Sequence, residues 1–138
     1  MQYKKSFTIY LLIVCVIIQA ISGLLGGYAL LSDLTGQYIG LPASWLQRTP
    51  FQDYLIPGII LLTILGIFPI LVFAGLIIRS RWALISARLL GYALIIWIAT
   101  EIYFIGYQPE PPLQLIYGLL GVIILLLAYS SRVTNYYL

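Results

Sequence analysis

The sequence predicts an all-α membrane protein, an antiparallel bundle of four transmembrane helices with both termini in the cytoplasm. Of its 138 residues, 62% are apolar and only 8% are charged, whereas an average soluble domain has roughly 25% charged residues. The mean hydropathy is correspondingly high, at +1.05. Four apolar segments are long enough, or nearly long enough, to cross a bilayer, and basic residues gather at one set of their ends. This composition excludes a soluble enzyme, a nucleic-acid-binding domain and a disordered tail.

The predicted helices follow from the apolar segments, each measured against the roughly 20 helical residues that a bilayer core requires. They cover residues of about 6–31, 50–78, 82–106 and 113–130, with an outer loop at about 32–49. The first apolar stretch is too long for a signal peptide, so we expect it to be retained. We therefore expect a single membrane domain over residues 1–138.

The outer loop carries two local signals. Residues 41–46 have the composition of a short amphipathic turn that lies in the membrane interface. Thr49, Pro50 and Gln52 match a capping box, in which the threonine caps the helix and proline occupies its first position. This match predicts that the second helix begins near residue 50.

Two prolines, Pro57 and Pro69, fall inside the second predicted helix. Each removes a backbone N–H, so a kink or a loosened turn is expected at both positions. The connections on either side of the third helix, at 79–81 and 107–112, are short. Helices two, three and four are therefore expected to pack as antiparallel neighbours.

The predicted orientation depends on lysine and arginine. With the N-terminus inside, the outer side carries only Arg48, and the inner side carries Lys4, Lys5, Arg79, Arg81, Arg88 and Arg132. An excess of basic residues on one side marks the cytoplasmic face of a membrane protein. The C-terminus then also lies inside.

Several kinds of chemistry are excluded by the residues that the sequence lacks. It contains no histidine, which removes the usual ligands and bases of haem, zinc and non-haem iron sites. Its single cysteine, Cys15, cannot form an intramolecular disulfide or a redox pair. No phosphate-binding or nucleophile-elbow motif is present. We therefore predict no catalytic residues, no cofactor and no metal site.

Small residues four positions apart occur in two predicted helices. Gly23 and Gly27 form such a pair in the first helix, and Ala87 and Gly91 form one in the third. This spacing allows helices to approach closely in lipid. We interpret both pairs as helix-packing surfaces within the bundle, with a homo-oligomer interface as the alternative.

Two polar residues inside the apolar segments are candidates for function. Gln19 lies near the middle of the first helix, where its side chain needs a partner. Glu101 lies about 7 Å from the outer end of the third helix, with Trp97 one turn away on the same face. Each residue has a structural interpretation. For Gln19 it is an interhelical hydrogen bond, and for Glu101 it is a hydrogen bond or an ion pair, for example with Arg48. The functional interpretation is a substrate or proton pathway at Gln19 and a site for a cation, a proton or a lipid headgroup at Glu101.

Acidic and aromatic residues near the outer side suggest a ligand-binding cup, provided that the loop folds back over the bundle. Its predicted lining is Asp33, Asp53, Glu101, Trp45, Tyr54, Trp97, Tyr103 and Tyr107.

Two stretches carry a resemblance to known proteins. They are Pro42-x-Ser44-Trp45-Leu46-x-x-Thr49-Pro50-Phe51-x-x-Tyr54-Leu55-Ile56-Pro57-Gly58 and Trp97-Ile98-x-x-Glu101-Ile102-x-x-Ile105-Gly106-Tyr107. Over residues of about 40–110 the chain resembles small uncharacterised four-helix membrane proteins of bacteria, and its layout is distantly similar to DoxX-like proteins. The resemblance implies a bacterial cytoplasmic membrane and no particular activity.

Three functional hypotheses remain open. The first is a non-enzymatic protein that contacts the lipid bilayer, either as an accessory subunit of a larger membrane complex or as a binder of lipid or another hydrophobic ligand. The second is a small transporter with Glu101 as its coupling carboxylate, although small multidrug transporters carry their essential glutamate in the first helix. The third is a histidine-free membrane enzyme acting on a lipid or a quinone. The lack of catalytic groups favours the first hypothesis, and no nucleic-acid partner is expected.

Overall fold

The computed structural model describes residues 6–37, 40–109 and 112–138, and within these ranges the chain forms helices and no strand. The helices are α1 (Phe7–Ser32), α2 (Ala43–Gln47), α3 (Leu55–Ile77), α4 (Arg81–Ile105), α5 (Leu113–Tyr129) and α6 (Ser131–Tyr137). One turn of α3, Thr63–Ile67, is wound as a π-helix. The predicted all-α class is confirmed.

The long helices have the length and the apolar composition of membrane spans. Three of them, α1, α3 and α4, qualify individually among the described residues, and α5 qualifies together with α6 as a pair bent by 62°. Apolar side chains project from the bundle in helical register, as on α1, where the exposed residues are Phe7, Tyr10, Val14, Ile18, Ile21, Leu25 and Tyr28. Such a stripe is unstable in water and normal against lipid. The chain is therefore a multi-pass membrane protein.

The four long helices form an antiparallel ring in which α1 neighbours α3, α3 neighbours α4, α4 neighbours α5, and α5 neighbours α1. Small residues let two of these pairs approach closely. On α1, Gly23 lies against Leu65 of α3. On α4, Gly91 lies against Gly121 of α5, and the neighbouring Ala87 is fully buried. The glycines therefore serve packing within the bundle.

The start of α3 differs from the prediction. Thr49 Oγ1 accepts a hydrogen bond from the Phe51 N–H at 3.2 Å and donates to the Leu46 carbonyl at 2.9 Å, so it forms a local turn and caps no helix. The helix begins five residues after the predicted start, at Leu55. Its first N–H is bound by Asp53 Oδ1 at 3.0 Å. The predicted capping box at Thr49, Pro50 and Gln52 is therefore wrong.

A long-range contact explains this shift. The Tyr54 N–H donates to the carbonyl of Leu34 at 2.9 Å, which ties the residues before α3 to the chain just after α1. Pro57 then falls in the first turn of α3, where helical N–H groups have no intrahelical partner. Pro57 therefore removes no intrahelical hydrogen bond from α3, whereas Pro69 lies two residues after the π-helical turn, which ends at Ile67.

Helix α6 was not predicted. It packs across the end of the bundle after Ser130 adopts an extended conformation (ψ 150°). We call the end of the bundle where α1 begins and α6 lies the tail end, and the opposite end the loop end. Two arginines hold α6 there. Arg88 donates to the Ala128 carbonyl at 3.1 Å and to Thr134 Oγ1 at 3.0 Å. Arg79 donates to the Tyr136 carbonyl at 2.9 Å. These arginines belong to the excess of basic residues at this end of the bundle, and they also donate hydrogen bonds to backbone carbonyls at the ends of helices.

A glycine-to-alanine pair tests the close approach of α1 to α3. A Cβ on Gly23 would lie 1.7 Å from the Leu65 carbonyl oxygen, so we expect Gly23→Ala to lower the free energy of unfolding by about 1–3 kcal/mol. A Cβ on Gly118 would meet only Ile98 Cγ2, at 3.6 Å, so Gly118→Ala should be neutral or stabilising. Reversible unfolding in mixed micelles measures both, and equal stabilities would contradict this packing.

A tyrosine hydroxyl at the tail end provides a second test. Tyr137 donates from its buried hydroxyl to the Leu76 carbonyl at 2.7 Å, which joins α6 to the end of α3. We expect Tyr137→Phe to lower the free energy of unfolding by about 1 kcal/mol. The control is Tyr103→Phe, because Tyr103 is 83% exposed. If the two variants unfold alike, α6 is not docked through this bond.

Candidate functional site

A junction between α1 and α3 lies at the centre of the bundle. In an α-helix the carbonyl of residue 65 would accept from the N–H of residue 69, but Pro69 has no N–H. Gln19 of α1 supplies a donor instead, with its Nε2 3.0 Å from the Leu65 carbonyl oxygen. The absence of a side chain on Gly23 lets α1 come close enough to make this contact.

Packing differs between the two halves of the bundle. The fully buried apolar side chains are concentrated in the tail half, and include Ile9, Leu12, Val72, Leu76, Leu84, Ile124, Ala128 and Val133. The loop half contains two neighbouring cavities. The cavities therefore begin at the level of Gln19 and extend away from the densely packed end.

The larger cavity, which we call the central cavity, has a volume of about 260 Å³. All four long helices and the loop line it, through Gln19, Ser22, Gly23, Gly26, Leu30, Leu41, Leu61, Leu65, Leu94, Trp97, Ile98, Glu101, Leu113 and Tyr117. Its wall is mainly aliphatic, and its polar side chains lie on α1, α4 and α5.

The smaller cavity, which we call the loop cavity, has a volume of about 160 Å³. Residues 41–57 fold over the ends of α1 and α4 to form it, so its lining is rich in aromatic rings: Trp45, Phe51, Tyr54, Trp97 and Phe104. The loop therefore does fold back over the bundle, as the predicted cup requires. The two cavities share the wall formed by Leu30, Leu41, Leu61, Trp97 and Glu101.

Glu101 stands at the boundary between the two cavities, on the wall that they share. Its carboxylate interacts with the side chains of Trp97, one turn earlier on α4, and of Gln114 on α5. Gln114 is itself buried, and its Oε1 accepts the Gln108 N–H at 2.7 Å. The amide nitrogen of Gln114, which also donates to the Gly106 carbonyl at 3.4 Å, is therefore the group that faces Glu101.

Two buried polar atoms at the cavities have no hydrogen-bond partner among the described residues. Gln19 is only 2% exposed, and although its nitrogen is bound its Oε1 is unpaired. Tyr54 is 8% exposed and its hydroxyl is unpaired. Burial and the neighbouring Glu101 raise the pKa of Tyr54 above its usual value, so this hydroxyl stays protonated at neutral pH. A buried polar atom without a partner costs free energy, and each of these two atoms retains the capacity for a further hydrogen bond.

The structure brings together five of the predicted site residues. Gln19 lines the central cavity, Trp45 and Tyr54 line the loop cavity, and Trp97 and Glu101 line both. Whether they bind a ligand stays a prediction.

The other members of the predicted cup lie elsewhere. Asp33 Oδ1 accepts from the Thr35 N–H and hydroxyl after the end of α1, and Asp53 binds the first N–H of α3. Tyr103 and Tyr107 are exposed and line neither cavity. The two aspartates follow the common use of Asp at turns and helix starts.

The predicted alternative of an ion pair between Glu101 and Arg48 does not match the observed contacts. Arg48 donates to the carbonyl of Ile105, at the end of α4, over 3.3 Å. The carbonyls at a helix C-terminus attract a cation through the helix dipole. Arg48 is therefore engaged by backbone next to the loop cavity, and it is not one of the residues that line it.

Sequence reasoning missed two site residues, Gln114 and Ser22. Gln114 is the second residue of α5 and follows the Pro-rich connection. Ser22 is four residues before Gly26 on the face of α1 that meets the central cavity. The available signal was their spacing: Ser22 lies one turn after Gln19 on the same helical face.

Replacing Tyr54 with phenylalanine tests whether its hydroxyl is unpaired. Removing an unpaired buried hydroxyl should leave the free energy of unfolding unchanged or raise it, by up to about 1 kcal/mol. The matched control is Tyr137→Phe, in which a paired hydroxyl is lost. Destabilisation of equal size in the two variants would show that Tyr54 has a partner in the folded protein.

Comparisons of the chain with protein-family models, with curated proteins and with solved structures found no match. Over the residues that the structure describes, the chain is a small helical protein with three to four candidate membrane-crossing helices. The resemblance to small bacterial four-helix proteins and to DoxX-like proteins stays a prediction.

Proposed function

We propose that the protein is a non-enzymatic membrane protein that binds an amphiphilic ligand in the central and loop cavities. The observation that carries the proposal is an apolar cavity whose described lining includes an unpaired buried acceptor, Gln19 Oε1, and a carboxylate, Glu101. Ligand sites in proteins combine a mainly apolar wall with a few convergent polar groups, and this cavity has that composition.

The volume of the central cavity supports a ligand with an apolar body. An apolar cavity of about 150 Å³ is enough to hold benzene. At about 260 Å³, the central cavity has room for a ring with a short chain. The adjoining loop cavity adds an aromatic compartment on the far side of Glu101. A ligand of this shape would bury its body among leucines and direct its polar group to Glu101.

The packing of the tail end supports one direction of entry. Side chains from α1, α3, α4 and α5, and α6 beneath them, fill the tail half with fully buried residues. A ligand would therefore enter from the loop end or from the lipid beside it. Four arginines, Arg79, Arg81, Arg88 and Arg132, belong to the tail end. The positive-inside rule supports an orientation in which the tail end is cytoplasmic and the cavities lie in the outer half of the membrane.

A pair of phenylalanine substitutions on α1 tests whether the central cavity binds a ligand. Ser22 lines the cavity, whereas the adjacent Ile21 is 52% exposed on the lipid-facing side. In lipid nanodiscs, we expect 4-(4-bromophenyl)butanol to quench Trp97 fluorescence at saturable concentrations in the wild type and in Ile21→Phe. Ser22→Phe should bind at least about tenfold more weakly, since its ring occupies the space.

The measurement isolates Trp97 by replacing Trp45 and Trp82, the other two tryptophans, with phenylalanine. Equal, non-saturable quenching in all three proteins would mean that the alcohol only partitions into lipid, and the proposal would fail. Native mass spectrometry of protein extracted from membranes addresses the accessory-subunit hypothesis in parallel. A stoichiometric protein partner with no bound amphiphile would favour that role over ligand binding.

A further inference from the structure

We infer that the polar group of the ligand is a protonated amine, so that the site selects lipophilic alkylammonium compounds over alcohols and carboxylates of the same shape. This inference rests on the proposed function, because it specifies the ligand of the same cavities.

The charge of the lining favours a cation. Among the described residues that line the two cavities, Glu101 is the only acid and none is a lysine or an arginine. The nearest arginine on the loop side, Arg48, donates to the Ile105 carbonyl. A carboxylate in an apolar wall without a basic neighbour is neutralised either by taking up a proton or by binding a cation, and a cationic ligand supplies the second route.

The unpaired amide oxygen of Gln19 favours a ligand whose head group donates hydrogen bonds. Gln19 uses its amide nitrogen on the Leu65 carbonyl, which fixes the orientation of the amide and leaves an oxygen, an acceptor, unpaired. Gln19 Oε1 has no donor, and the Glu101 carboxylate, which already receives hydrogen bonds from Trp97 and Gln114, is also an acceptor. The cavity therefore offers acceptors to a ligand at both places. An ammonium group offers three donors and no acceptor, whereas a hydroxyl offers one donor and a carboxylate offers none. Carboxylate and phosphate heads would also be repelled by Glu101.

The aromatic walls favour the same head group. Trp97 lies on both cavities, with Tyr117 in the central cavity and Trp45, Tyr54 and Phe104 in the loop cavity. The face of an aromatic ring attracts a cation, and the attraction increases when water is excluded. An ammonium held by Glu101 would therefore lie among rings that also stabilise its charge.

The test compares three compounds that differ only in their head group: 4-phenylbutylamine, 4-phenylbutanol and 4-phenylbutyrate. At pH 7 each competes with the brominated alcohol for Trp97 quenching, in nanodiscs of a zwitterionic lipid. We expect the amine to displace the quencher at a concentration at least about tenfold lower than the alcohol, because charge-assisted hydrogen bonds are the stronger kind. The carboxylate should be the weakest competitor.

Variants at Glu101 assign the selectivity to this carboxylate. Glu101→Gln should remove the advantage of the amine over the alcohol, whereas Glu101→Asp should keep the amine ahead. Wild-type protein that prefers the alcohol or the carboxylate overturns the inference while the proposed function stands. An amine preference that persists in Glu101→Gln also overturns it. If no compound competes and the quencher itself does not bind, the proposed function has failed. Should Glu101→Gln not fold, the order of the three compounds on the wild type still decides.

Discussion

The hydrogen bond from Gln19 to the Leu65 carbonyl is the contact on which the rest of the bundle depends. Pro69 cannot supply the N–H that this carbonyl would otherwise receive, and a bare carbonyl in the middle of a membrane span is costly. Gln19 reaches it only because Gly23 removes the bulk between α1 and α3. This one contact therefore sets the distance between α1 and α3 and gives the Leu65 carbonyl the donor that Pro69 lacks. It also leaves the amide oxygen of Gln19 as an unpaired acceptor.

The sequence was sufficient for the class of the protein and for the long helices, because long apolar segments and the positions of charged residues are local signals. It also identified Gln19, Trp97 and Glu101, since polar and aromatic residues stand out within a span. The start of α3 was not predictable, because the bond from Tyr54 to Leu34 joins residues that are 20 positions apart. The docking of α6 depends on Arg79 and Arg88 reaching carbonyls far along the chain. In the sequence, an aspartate that binds backbone N–H groups in a turn likewise cannot be distinguished from one that lines a ligand site.

The two ends of the bundle are built on different principles. At the tail end, arginines and a tyrosine hydroxyl bind the carbonyls where helices finish, and aliphatic side chains fill the space above them. At the loop end, a segment with little regular structure covers cavities whose polar atoms are not all paired. Regions with fewer packed contacts open at lower free energy than a dense core. We therefore expect the loop end to open at a lower free energy than the tail end.

The π-helical turn of α3 also acts on the rotational register of that helix. Such a turn absorbs one residue more than the α-helical turn that it replaces. Leu61 and Leu65, before or within it, face the central cavity, and Val72 and Leu76, after it, are buried in the tail core. If the same residues were wound as a continuous α-helix, everything beyond Ile67 would be rotated by about 100°. The number of residues in this turn, as well as their identity, therefore sets the rotation of the tail half of α3 relative to its loop half.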